Sequence, residues 1–85
     1  MYRLFFSNGK AEKMLRYYVG MFDSVGKKLE RLKLEPRREI GAHPLHGRLK
    51  GKWSCWLGSN VRMIYSIDEL NKRIIIQAVG SHKIY

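Results

Sequence analysis

The chain has one cysteine, Cys55, among 85 residues. No intramolecular disulfide can form, and a reducing compartment, the cytoplasm, is the natural expectation. No apolar run approaches the roughly 20 residues that a membrane-spanning helix requires. The opening MYRLFFSNGKAEK has neither the long apolar core nor the small-residue cleavage site of a secretory signal. No membrane partner is expected. Carboxylates are scarce as well: seven Asp and Glu stand against seventeen Lys and Arg, for a formal net charge of +10. The scarcity is local. Between residues 40 and 67 no acid occurs, while His43, His46, Arg48, Lys50, Lys52 and Arg62 all fall there. There is also no phosphate-cradling glycine loop, carboxylate pair or nucleotide fingerprint. A metal-dependent nuclease needs carboxylates to hold its ions, so no metal and no cofactor are expected.

The charge that is present points to a polyanion or an acidic partner. A solvated basic face is the ordinary explanation of a charge run. An acid-free stretch that spans a loop and two strands fits a polyanion groove better. The length suits one domain, residues 1–85, because a chain of this size buries roughly 60–65% of its unfolded surface, enough for one core.

The order of elements reads as strand, two helices, three strands. YRLFF (residues 2–6) is a short strand, after which Ser7 and Asn8 can cap a helix. Ala11, Met14, Leu15, Tyr18 and Phe22 recur at helical spacing on one face. Asp23 or Ser24 is expected to cap a second helix with Val25, Leu29 and Leu32 on its apolar side, ending before Pro36. RREIGAHPLHGRLKGK (residues 37–52) reads as a long loop pinned by Leu45 and Leu49, and long loops are usually functional or disordered. WSCWL, VRMIYSI and RIIIQAV are consecutive strands with short turns, hence antiparallel neighbours. Alternation puts Val61, Met63, Tyr65 and Ile67 on the face toward the helices and Arg62, Ile64 and Ser66 on the other. The expected fold is α+β, with two helices on one face of an antiparallel sheet.

Arg62 is the first candidate, since an arginine inside an apolar strand is costly unless it meets an anion, and a guanidinium suits phosphate bidentately. On an open sheet face it is otherwise an ordinary surface arginine. His82 follows the adjacent strand and can reach the same end of the sheet, with a side chain that titrates near neutrality. Tyr85 can hydrogen-bond, stack on a base or simply plug the core edge. His43 and His46 in HPLH lack the further ligands of a zinc site, and beside Arg48, Lys50 and Lys52 they fit phosphate contact. Trp56 falls on the strand face opposite Cys55 and is a candidate base-stacking surface. Cys55 reads as a small buried hydrophobe, although a Cys–His nucleophilic pair is conceivable. A nuclease built from these residues would use the substrate's 2′-hydroxyl as nucleophile.

In sequence, a strand, two helices, HPLHGRLKGKW, RMIYSID and GSHKIY together closely resemble the RelE/ParE toxin superfamily, notably its RelE and YafQ branches, over nearly the whole chain. The resemblance implies the toxin of a type II toxin–antitoxin pair, which cleaves messenger RNA without metal, typically in the ribosomal A site. It implies an acidic antitoxin that wraps the basic surface, with the free toxin monomeric and the complex hetero-oligomeric. Arg62 matches the strand arginine that supports the scissile phosphate. His82 matches a position that carries arginine or histidine for phosphate contact or general acid work, Tyr85 resembles the aromatic near the C-terminus, and His43 matches the loop histidine of the YafQ-like branch. Arg48, Lys50 and Lys52 are then expected to hold ribosomal or messenger phosphates. The chain departs from the pattern where YafQ-like members have histidine and aspartate, here Trp56 and Asn60, and where RelE members carry lysines on the strand from Trp53 to Leu57. The ParE branch shares the fold, lacks the nuclease residues and poisons DNA gyrase. A gyrase-directed toxin, or a basic nucleic-acid-binding module without catalysis, is the alternative.

Overall fold

The computed structural model describes residues 1–58 and 60–81. Seven regular elements follow one another: β1 (Arg3–Phe6), α1 (Gly9–Met21), α2 (Asp23–Leu34), β2 (His43–Pro44), β3 (Trp53–Gly58), β4 (Val61–Asp68) and β5 (Arg73–Gly80). The strands form one sheet in the order β1-β5-β4-β3-β2. The expected α+β arrangement is present, with two additions. First, β1 pairs parallel with β5, whereas every other pair is antiparallel. Second, residues 37–52 contain two 3₁₀ turns, Glu39–Gly41 and Gly47–Leu49, and the two-residue β2 paired to β3.

α1 begins where Asn8 leaves extended backbone, and the Asn8 Oδ1 accepts from the Ala11 N–H at 2.8 Å. The Asn8 Nδ2 donates to the Gln77 carbonyl at 3.0 Å, so the same residue ties the helix to β5. Ala11 and Leu15 are buried, and Met14, Tyr18 and Phe22 pack against the core. The expected cap of α2 by Asp23 or Ser24 is not what forms. Phe22 is the boundary of both helices, closing α1 on the Tyr18 carbonyl, and no side chain caps α2. Asp23 is instead in the first turn, where its charge suits the helix dipole. Val25, Leu29 and Leu32 are the buried face of α2, as the spacing predicts.

The strand alternation also holds. Val61, Met63 and Tyr65 of β4 are in the core, with Ile67 packed against it, and Ile74, Ile76 and Val79 of β5 join them. Between Ile76 and Ala78 the pairing with β4 skips Gln77, which is a bulge. The bulge lets both Ile76 and Val79 face inward and brings Gly80 opposite Arg62.

Two polar anchors fix the segments outside the sheet. The Tyr65 hydroxyl, buried, donates to the Pro36 carbonyl at 2.6 Å and holds the chain after α2 against β4. Glu69, in the β4–β5 turn, accepts from the Tyr2 hydroxyl at 2.6 Å and from Arg37 at 2.8 Å, and pairs with Lys72. Lys72 first, then Tyr2 and Arg37, hold the Glu69 carboxyl at about 2, below its ordinary 4.5. A depressed carboxyl contributes stability above the unfolded value and loses it as pH falls toward the folded one. Wild type should therefore be more stable than Glu69→Gln at neutral pH, with the gap in urea midpoint closing between about pH 4.5 and pH 2. A gap that persists unchanged at pH 2 would refute this role.

Candidate active site

Arg62 and Trp56 are directly paired on β4 and β3, and residues so paired present their side chains on one face. That face is the one away from the helices. Trp56 is 46% exposed, and the Arg62 guanidinium carbon lies 4.8 Å from its ring centroid. On its other side Arg62 pairs with Gly80, which is buried and contributes no side chain to this face. The Arg62 Nε is buried and has no hydrogen-bond partner among the described residues. A desolvated charged donor left unpaired is costly, and an arriving anion removes that cost.

The next row of the same face is His43, Ser54, Ile64 and Ala78, on four successive strands. His43 is exposed, and its Nδ1 lies 3.0 Å from the Gly41 carbonyl oxygen. A carbonyl only accepts, so Nδ1 carries the hydrogen and, in the neutral ring, Nε2 keeps the free lone pair. The carbonyl is aimed by a corner in which Ile40 (φ 48°) and Gly41 (φ 69°) are both left-handed. A β-branched residue there is strained by about 1–3 kcal/mol, and packing of Ile40 against the core holds it. Gly41 also abuts Trp56, since a Cβ at Gly41 would lie 3.9 Å from the Trp56 Cβ. One strained corner thus orients both His43 and Trp56. The Gly-x-His spacing was its only mark in the sequence.

The remaining predicted residues are placed differently. His46, Arg48 and Lys50 are exposed and Lys52 is half-buried, on a loop closed by the Leu45 N–H donating to the Lys52 carbonyl at 2.9 Å. That loop enters β3 at Trp53, so these residues form a basic rim at the β2 edge and do not surround Arg62. His82 and Tyr85 lie outside the described residues, although Gly80, just before them, is beside Arg62. Among the described residues no three His, Cys, Asp or Glu converge as metal ligands would. Cys55 is 1% exposed on the core face, and burial pushes its thiol up to about 12. The conceivable Cys–His nucleophile is thereby excluded, because a protonated thiol behind the sheet reaches neither Arg62 nor solvent.

The fold is similar to that of solved toxins named YoeB/ParE, RelE and YafQ, the likeness that the sequence motifs lead one to expect. The solved structures it matches include a YoeB/ParE toxin from Agrobacterium tumefaciens, at TM-score 0.75 and 18% identity, covering 94% of this chain and 98% of that one. They include the toxin–antitoxin complex RelBE2 from Mycobacterium tuberculosis, at TM-score 0.74 and 24% identity, covering 95% and 98%. YafQ from E. coli matches at TM-score 0.67 and 17% identity, covering 96% and 94%. At these identities the likeness is one of fold. No protein-family model and no curated protein sequence matches the chain.

Two outcomes follow from this geometry. Nitrogen NMR of His43 should show the Nδ1–H tautomer when the ring is neutral, and the Nε2–H form would contradict the Gly41 contact. Cys55 should resist a thiol reagent at pH 8 in the folded protein and react at once in denaturant, whereas fast reaction in native buffer would deny its burial.

Proposed function

We propose that this protein is the toxin of a toxin–antitoxin pair and a metal-independent endoribonuclease that cleaves messenger RNA on the ribosome, in the cytoplasm. The observation that carries the reading is Arg62: a guanidinium stacked on Trp56, on the sheet face away from the helices, with a buried Nε and no anion to meet it among the described residues. His43 is in the next row of the same face and the basic rim lies at the β2 edge, while the carboxylates that would hold a catalytic ion are elsewhere in the chain. The fold likeness to toxins, one of them solved as a toxin–antitoxin complex, supports the same reading.

The chemistry is an in-line displacement. A ribose 2′-oxygen attacks the adjacent phosphorus, the bond to the 5′-oxygen breaks, and a 2′,3′-cyclic phosphate and a 5′-hydroxyl result. His43 Nε2 is the base that takes the 2′-hydroxyl proton. Arg62 meets the charge that grows on the non-bridging oxygens. His82 supplies the proton to the leaving oxygen, and Tyr85 positions the substrate beside it. Trp56 stacks on a base, and His46, Arg48, Lys50 and Lys52 hold phosphates along the rim. A small acidic antitoxin covers this cationic face in a hetero-oligomer, and the free toxin is a monomer.

The test is primer extension on a translated message after the protein is induced. Arg62→Ala should lower cleavage about 10²–10³-fold, the range for loss of one donor to a developing oxyanion. Arg62→Lys should not restore it, because a lysine neither stacks on Trp56 nor offers a planar fork. Cleavage at the wild-type rate in both variants would overturn the reading. Inhibition of gyrase supercoiling by a protein that leaves RNA intact would replace it with a gyrase-directed toxin.

A further inference from the structure

The open face carries a second cation–aromatic cluster at its opposite end. The parallel pairing of β1 with β5 sets Arg3 beside Arg73 and Phe5 beside Ile75. The guanidinium carbons of Arg3 and Arg73 lie 5.9 Å and 5.3 Å from the Phe5 ring centroid. With Asn71 these three residues line a cavity of about 260 Å³. Phe5 is 37% exposed, in a strand whose alternate residues Leu4 and Phe6 pack into the core. The Arg3 side chain has no hydrogen bond or ion pair among the described residues. The Arg73 Nε is 3.3 Å from Asp68 Oδ2 in an ion pair, and the terminal nitrogens have no ion-pair partner among the described residues.

This arrangement is built to meet an anion. A guanidinium lying against an aromatic ring is ordered by its face, while its N–H edges stay available. Two such groups around one ring are restrained before any ligand arrives, which lowers the entropy lost on binding. The position tells which anion. Asp68, which pairs with Arg73, is six residues from Arg62 along β4, and at about 3.3 Å per residue the two ends of the face are about 20 Å apart. The side chains between them are uncharged: Ile64, which is buried, and Ser66 and Ile75, which are half-buried and offer a path along the β4–β5 side of the face. An isolated phosphate would use one end only. A stacked nucleic-acid strand, with one phosphate per roughly 3.4 Å, would reach both ends with about six nucleotides.

We propose that Arg3, Phe5 and Arg73 form a second subsite for single-stranded RNA, gripping the phosphate chain about 20 Å from the scissile bond. The proposal rests on the reading of the Trp56–Arg62 end as the RNA-cleaving site. It gives the sheet face away from the helices a reactive end and a holding end.

The probe is a series of fluorescein-labelled 2′-O-methyl oligouridines, from dinucleotide to decanucleotide, which lack the attacking hydroxyl and stay intact. Wild-type affinity should rise with length and step up near about six nucleotides. Arg3→Ala, Arg73→Ala and Phe5→Leu should each weaken decanucleotide binding about tenfold and leave dinucleotide binding unchanged. Each arginine variant should also reduce the log–log salt slope by about 0.7. Phe5→Tyr keeps the ring and should bind like wild type, and unfolding midpoints show that the compared variants are folded. Equal decanucleotide binding by wild type and all three variants overturns the subsite. So does a poly-glutamate peptide that needs Arg3 and Arg73 while RNA does not, which would assign the cluster to a protein partner. If the protein cleaves translated message while those variants bind normally, the subsite fails and the nuclease reading stands. If it cleaves nothing but retains Arg3-dependent binding of long oligomers, the nuclease reading fails and the subsite stands.

Discussion

The pairing of β4 with β5 is the constraint on which the rest of the molecule depends. These two strands supply Met63, Tyr65, Ile74 and Ile76, all completely buried, and α1 is tied to β5 through Asn8 and the Gln77 carbonyl. Their inner faces cannot slip by one residue without turning that apolar set to solvent. The bulge at Gln77 is the one irregularity allowed, and it has a consequence at the surface. It restores inward packing for Val79 and lets the strand end with a glycine against Arg62. The core therefore dictates which residue stands beside the cation on the far side, and it is one without a side chain.

Charge is organised by the same economy of acids. Glu12, Glu30, Glu39, Asp68 and Glu69 are each engaged by a nearby Arg or Lys. Exposed pairs of this kind contribute little stability, with a median of about 0–1 kcal/mol. Their position matters more: no acid falls between residues 40 and 67, the stretch that holds Arg62, Arg48, Lys50 and Lys52. A face of this sign raises the rate of encounter with a polyanion, which suits the RNA substrate proposed above. The Glu69 cluster adds a structural role, since it joins the segment before β1, the segment after α2 and the β4–β5 turn at one carboxylate.

The parts legible in the sequence were those with a local period. The spacing of Ala11, Leu15 and Tyr18 and the alternation of Val61, Met63 and Tyr65 encode which way each side chain faces, and both held. The outward placement of Arg62 and Trp56 followed from the same rule. What was not legible lacks a local signature. The parallel pairing of β1 with β5 joins residues about seventy positions apart, and no motif at either end specifies it. The Arg3–Phe5–Arg73 cluster depends on that register and so was invisible. The left-handed Ile40 was hidden for a different reason: the residue type argues against the conformation, and only tertiary packing enforces it. The missing cap of α2 was a boundary problem, because Phe22 ends one helix and begins the next with no residue between them.

Two arginines on one face, each against an aromatic ring, differ in a single contact. The Arg73 Nε forms an ion pair with Asp68, and the Arg62 Nε is buried without a partner among the described residues. A cation whose charge is partly answered attracts a phosphate in the ground state and in the transition state alike. Such binding holds substrate but does not speed the chemical step. A cation with a desolvated, unanswered donor gains most from the species with the greatest charge, which in phosphodiester cleavage is the pentavalent transition state. On the function proposed above, the difference between Asp68 beside one guanidinium and Gly80 beside the other would divide the face into a part that holds RNA and a part that cleaves it.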